Sequence, residues 1–170
     1  MQKIIFSEYK IIEAVRDIAF RIGSNPIHND KPIVLICVLD GAVMFFSDLM
    51  RNIKVDCEID FVQVKSYVGK ESKELSLTKK PTLNLHDKNI YIIDDIYDSG
   101  KTIKYLIKEI NKHLPHSITP VTLIKRTREI DTSPENLIYG LDLEGQKFIA
   151  GYGLDDNGLK RNLPFIFEVQ

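Results

Sequence analysis

Only two cysteines occur in the 170-residue chain, and Cys37 and Cys57 both stand inside apolar, strand-like segments with no Cys-x-x-Cys spacing. That argues against a disulfide-stapled scaffold and for two buried free thiols in a reducing compartment. Net charge is nearly absent too: 23 basic and 24 acidic residues leave a formal charge of −1. Neither nucleic acid nor an acidic membrane surface therefore has a global electrostatic case as a partner. No apolar run approaches membrane-spanning length, and the opening Met1-Gln2-Lys3-Ile4 lacks a signal-peptide design. A cytoplasmic protein with no membrane partner is expected. No internal repeat or linker interrupts residues 1–170, which suits a single domain of ordinary size. His28, His86, His113 and His116 match no ligand pattern, and His113, near Lys108 and Lys112, suits a helix C-terminus.

What the chain does have is concentrated in Ile90-Tyr91-Ile92-Ile93-Asp94-Asp95-Ile96-Tyr97-Asp98-Ser99-Gly100-Lys101-Thr102. Four apolar residues suit a buried strand, two carboxylates follow where it should end, and a short Asp-Ser-Gly loop leads into a helical pattern. Acids at the carboxyl end of such a strand lie in the crevice where open α/β sheets bind ligands. The Ser-Gly-Lys-Thr ending suggests a phosphate held by backbone N–H groups at a helix start. Carboxylates beside a phosphate seat make sense if they hold a sugar's hydroxyls or a Mg²⁺ ion. Gly100-Lys101-Thr102 also matches the tail of a Walker A loop, but that loop needs glycine where this chain has Asp95. A carboxylate there would repel nucleotide phosphates. Three acids are more than an ordinary solvated strand end requires.

Helical spacing of Ile11, Ile12, Val15, Ile18, Ala19 and Ile22 predicts a helix from about Ser7 to Ile22, stopped at Gly23. Ile33 to Leu39 is a continuous β-rich run, ending at Asp40-Gly41, and Ala42 to Arg51 reads as the next helix. There Val43, Met44, Phe45 and Phe46 suit core or interface, with core the simpler choice. A strand is expected at Val55–Val64. From Gly69 to Leu85 the sequence turns polar with little periodicity, as in a mobile functional loop. A strand at Ile90–Ile93, a helix at Gly100–His113 and a strand at Thr119–Ile124 follow, with short strands at Leu137–Tyr139, Phe148–Ala150 and Phe165–Val169. This alternation predicts an α/β fold with a mostly parallel central sheet flanked by helices. The core should span about 30–135, with a small hood lobe from about 1–25 and 136–170.

Five segments in order resemble the type I phosphoribosyltransferases, specifically the hypoxanthine-guanine branch. Ile92 to Thr102 resembles the family's phosphoribosyl pyrophosphate signature, and Leu39-Asp40-Gly41 its first pyrophosphate loop. Ser66-Tyr67 resembles the pair that opens the mobile lid, and Leu123-Ile124-Lys125-Arg126-Thr127 the purine-reading segment. Phe148 to Asp155, with Arg161, resembles the C-terminal base-and-pyrophosphate segment. The resemblance implies transfer of a 5-phosphoribosyl group to N9 of hypoxanthine or guanine, giving IMP or GMP and pyrophosphate. Mg²⁺ would be the cofactor and a homodimer or homotetramer the assembly, with no nucleic acid bound.

The resemblance also assigns roles, each with a physical rationale. Asp98, Ser99, Gly100, Lys101 and Thr102 would surround the 5′-phosphate, and Asp94 and Asp95 would accept from the ribose hydroxyls directly or through Mg²⁺. Gly41 would face the pyrophosphate, with Arg161 and Arg128 supplying charge-assisted hydrogen bonds and Asp155 a metal contact. Lys125 has only donors, which suits a 6-oxo acceptor and rejects the 6-amino group of adenine. Phe148 would stack on the purine, while backbone groups of Ile149 and Asp155 read its edge; without the family, Phe148 reads as core. Asp98 would take the N7 proton as N9 attacks. A lid from about Ser66 to Leu77 would exclude water. Relatives commonly carry Lys or Arg where this chain has Asp40, so weaker pyrophosphate binding is expected.

Two rivals are weighed against this reading. A nucleotide-sensing RNA-binding regulator on the same scaffold would need a basic face, which the near-neutral charge disfavours. A phosphoribosyltransferase for xanthine, adenine or orotate is the other; Lys125 and Phe148 argue against adenine and orotate.

Overall fold

The computed structural model describes residues 3–28, 30–68 and 73–169; the side chains of 66–68 and 73–74 lie outside that description. Its frame is a six-stranded sheet in the order β4-β3-β2-β5-β6-β7. These are β2 (Ile33–Leu39), β3 (Glu58–Val68), β4 (Lys73–Lys79), β5 (Asn89–Tyr97), β6 (Ser117–Arg126) and β7 (Ile138–Leu143). Every pairing is parallel except that of β3 with β4. The mostly parallel sheet is thus as expected.

Alternation along the two central strands divides the interior into two layers. Leu35 and Cys37 of β2, with Tyr91 and Ile93 of β5, enter one cluster with Ile11, Ile18, Phe45 and Leu49. Val34, Ile36, Ile90 and Ile92 point the other way, onto Ile103, Leu106 and Ile110. The first layer is covered by α1 (Glu8–Gly23) and α2 (Val43–Asn52), the second by α3 (Lys101–Asn111). Ser7 caps α1 by accepting from the Lys10 N–H at 3.4 Å. In α2, Phe45 and Phe46 are core, whereas Val43 and Met44 are exposed.

Strand β1 (Lys3–Phe6) pairs antiparallel with β9 (Ile166–Glu168), which also pairs with β8 (Ile149–Ala150), forming a second, three-stranded sheet. The N-terminal contribution to this small lobe is therefore β1. Helix α1 instead buries Ile11, Val15 and Ile18 on the large sheet, and β7 completes that sheet's edge. The polar stretch expected to be irregular contains β4. Its Leu75 and Leu77 alternate with Ser76 and Thr78, a period-2 signal weakened by the flanking charges. The tip of the expected lid, 69–72, lies outside the described residues, as do the Ser66 and Tyr67 side chains.

Candidate active site

Strand β5 runs on to Tyr97, so Asp94 and Asp95 belong to its last turns of pleat and open directly into a cleft. That cleft has a volume of about 360 Å³ and is lined by Leu39, Gly41, Asp94, Asp95 and the segment Asp98–Ile103. Asp94 is 8% exposed. The Asp95 N–H donates to Asp94 Oδ1 at 3.0 Å, and the Ile96 N–H to Asp95 Oδ1 at 2.7 Å. Burial and the Asp95 charge push the Asp94 carboxyl well above the usual carboxylate range. Burial likewise raises Asp95, moderated by the backbone N–H of Ile96 and the field of Arg161.

The loop after β5 turns at Gly100, whose φ is 71°; an added Cβ would overlap the Tyr97 hydroxyl. Helix α3 begins there with no side-chain cap, leaving first-turn N–H groups for a ligand anion. Across the cleft, a Cβ on Gly41 would run into the Asp95 carboxylate, so only bare backbone fits between that acid and a ligand. Asp40 is exposed and accepts from Gln63 Nε2 at 3.3 Å. Its carboxylate is not engaged by Arg128.

Arg128 instead donates from Nε to the Asp98 carbonyl at 2.9 Å and from Nη2 to Asp98 Oδ1. Arg126 Nε lies 3.0 Å from the same oxygen. Both guanidinium groups meet Oδ1, and among the described residues no hydrogen bond is made to Oδ2. Beside Asp98, Lys125 is in register with Tyr97 across β5 and β6. Its ammonium meets Asp131 Oδ2 at 2.5 Å and lies 5.0 Å from the Tyr139 ring centroid. Phe148, expected as core without the family, is 62% exposed, while Ile149 beside it is buried. Arg161 meets Asp155 Oδ1 at 2.9 Å and the Gly153 carbonyl at 2.5 Å.

Paired acids, Asp94 buried and Asp95 half-buried, stand with an uncapped helix start and a bare glycine backbone around one cleft, a set that suits a protein binding a phosphosugar. Residues 1–157 match the phosphoribosyl transferase domain family. The hypoxanthine-guanine phosphoribosyltransferase of Streptococcus pyogenes serotype M3 is 32% identical, over 98% of this chain and 92% of that one. A hypoxanthine-guanine phosphoribosyltransferase from Bacillus anthracis superposes with a TM-score of 0.87 at 34% identity, over 100% of this chain and 99% of that one. A hypoxanthine phosphoribosyltransferase from Staphylococcus aureus gives a TM-score of 0.89 at 28% identity, over 100% of this chain and 92% of that one. The chain belongs to the phosphoribosyltransferase family and is an enzyme of that transferase class.

Several residues around the cleft were not singled out by their sequence context. Arg126 is almost fully buried, and its guanidinium also donates to the Gly145 and Lys147 carbonyls at 2.6 and 3.1 Å. An arginine placed next to Lys125 at the end of an apolar strand was the available signal. Tyr97 donates its hydroxyl to the Thr132 carbonyl at 2.9 Å, tying the loop after β6 to β5. Asp131 stands in polar text with no periodic mark. Among the described residues no three His, Cys, Asp or Glu side chains form a metal cluster, so Asp94, Asp95 and Asp155 are not one protein-only site. No helix among the described residues is long and apolar enough to cross a membrane.

Proposed function

We propose that the protein transfers the 5-phosphoribosyl group of phosphoribosyl pyrophosphate to N9 of hypoxanthine or guanine, releasing pyrophosphate and forming IMP or GMP. The observation that carries this reading is the meeting, at neighbouring ends of β5 and β6, of an acid pair with Asp94 buried, an uncapped helix start and a donor-only lysine.

The 5′-phosphate accepts from the backbone of Ser99 to Thr102 and their hydroxyls, with Lys101 adding charge. The ribose hydroxyls donate to Asp94 and Asp95, whose remaining lone pairs have few partners in the protein. Two adjacent carboxylates, Asp94 buried and Asp95 half-buried, also suit a divalent cation, and Asp155 supplies a third acid near Arg161. Mg²⁺ fits such a set because it is ordinarily bound by one or two carboxylates together with substrate oxygens and water. When bound, it would withdraw charge from the leaving pyrophosphate. Gly41 N–H and Arg161 bind the same group from the protein side. Asp40 adds repulsion there, softened by its contact with Gln63.

The purine lies on Phe148, its 6-oxo group accepting from Lys125 and its edge read by the backbone at Ile149 and Asp155. N9 displaces pyrophosphate at the anomeric carbon with inversion, so no enzyme nucleophile is needed. Asp98 Oδ2 accepts the N7 proton as charge develops on the ring. Arg126 and Arg128 hold the carboxylate from its other oxygen, fixing the direction of that lone pair. Ser66 and Tyr67 begin a lid over the reacting carbon. The enzyme acts in the cytoplasm as a single domain that assembles as a homodimer or homotetramer; the exposed Val43 and Met44 of α2 offer apolar surface for such contacts.

The test is nucleotide formation from phosphoribosyl pyrophosphate and Mg²⁺ with hypoxanthine, guanine, xanthine, adenine and orotate supplied separately. Turnover of hypoxanthine or guanine, abolished by EDTA, is expected. Turnover of adenine or orotate alone would contradict the assignment of Lys125. Ligand binding without turnover of any base would favour a regulator on this fold.

A further inference from the structure

Lysine is a poor reader of position when left to itself, because its charge sits on four flexible carbons. Lys125 is not left to itself. Its side chain is only 14% exposed, and its ammonium is fixed between the face of Tyr139 and the Oδ2 of Asp131, 2.5 Å away. The acid is fixed in turn. Its other oxygen, Oδ1, accepts the Ser133 N–H at 2.9 Å, closing a local turn over residues 131–133. One residue further on, the Thr132 carbonyl accepts from the Tyr97 hydroxyl at 2.9 Å, so the turn is moored to β5 beside the acids. Asp142, opposite Lys125 on β7, is an exposed acid and the nearest alternative partner in register.

We propose that Asp131 is a positioning residue for purine recognition: it anchors the Lys125 ammonium so that a remaining N–H is aimed at the 6-oxo group. An ammonium has three donors, so occupying one with Asp131 leaves the others for the base. The same contact keeps Lys125 charged, since the Asp131 hydrogen bond raises the lysine and the lysine holds Asp131 well below the usual carboxylate range. Asp131 itself touches no substrate. Without it, the ammonium is free to turn toward Asp142 or water, and the base must restrain it on binding.

This inference rests on the reading of Lys125 as the contact to the 6-oxo group, and the test separates the two. Initial rates with hypoxanthine and with phosphoribosyl pyrophosphate varied in turn would be measured for wild type, Asp131→Asn, Asp131→Glu, Lys125→Met and the Asp131→Asn/Lys125→Met pair. Asp131→Asn should raise the KM for hypoxanthine by about two- to fivefold, the scale of a partly exposed ion pair, and leave that for phosphoribosyl pyrophosphate unchanged. Asp131→Glu should recover part of the loss, and the asparagine should add nothing once Lys125 is methionine. An unchanged KM for hypoxanthine in Asp131→Asn overturns the proposal. So does a fall in KM, which would make Asp131 a competitor of the base, or an equal rise for both substrates, which would make it merely structural. If Lys125→Met itself leaves hypoxanthine kinetics intact, the assignment of Lys125 fails first. Asp131 is exposed on a loop, and equal melting temperatures of the variants would show that folding is not the cause.

Discussion

Where the proposed 5′-phosphate and ribose would sit, the protein presents main chain and acid: the turn at Gly100, the uncapped start of α3, and the buried Asp94 with the half-buried Asp95 at the end of a central strand. Where the proposed base would sit, it presents side chains held by ion pairs with one another, Lys125 by Asp131 and Asp98 by Arg126 and Arg128, with Phe148 exposed and standing free. The first region is formed by folding itself, because the backbone turns that build it also connect β5 to α3. The second depends on ion pairs that single substitutions can undo without touching the core. A phosphosugar seat of this kind can therefore be kept while the base side is retuned.

The sharpest way to break that division is at Asp98, which belongs to both sides. Asp98→Asn keeps the shape but removes the proposed proton acceptor, and kcat for IMP formation should fall by about 10²- to 10⁴-fold. Rapid-quench single turnovers would show whether the loss lies in chemistry. Next in size is Lys125→Met, which removes the proposed charge-assisted hydrogen bond to the base, of about 1.5–3 kcal/mol, and should lower kcat/KM for hypoxanthine by about ten- to a hundredfold. Steady-state rates with the KM for phosphoribosyl pyrophosphate unchanged would keep the loss on the base side.

A smaller effect should appear in stability. Because Asp94 is raised by burial, the folded chain keeps a proton that the unfolded chain has released once pH passes about 4. Folded stability from this group is thus present at low pH and lost as pH rises from the ordinary carboxylate value to the raised one. Asp94→Asn should therefore become more stable relative to wild type as pH rises through that window, measured by urea denaturation at several pH values. The smallest expected change is at Asp40. Asp40→Lys should tighten product pyrophosphate by a few-fold, read as a lower inhibition constant, since an exposed charge contributes about 1 kcal/mol or less.

The two regions also differed in how far they could be read from sequence. The apolar run of β2, the periodicity of α1 and the Ile90–Thr102 signature each encode their surroundings locally, and each lies where the pattern puts it within a residue or two, except that β5 runs on through the acids. The base side is encoded by tertiary partners. Nothing near Asp131 announces that it meets Lys125, and nothing in Phe148 distinguishes a stacking face from core, although the fold leaves it exposed. Strand β1 is four residues long and defined only by pairing with β9, 160 positions away, so it has no local mark.

The division of labour is tested most directly by comparing Asp95→Asn and Phe148→Ala in one set of initial-rate measurements, with each substrate varied in turn. The account predicts that Asp95→Asn raises the KM for phosphoribosyl pyrophosphate and leaves that for hypoxanthine near wild type. Phe148→Ala should do the reverse, by about tenfold for a lost stacking contact, with an unchanged melting temperature because the ring is exposed. If either variant shifts both constants together, or the two effects are exchanged, the cleft is not divided as described.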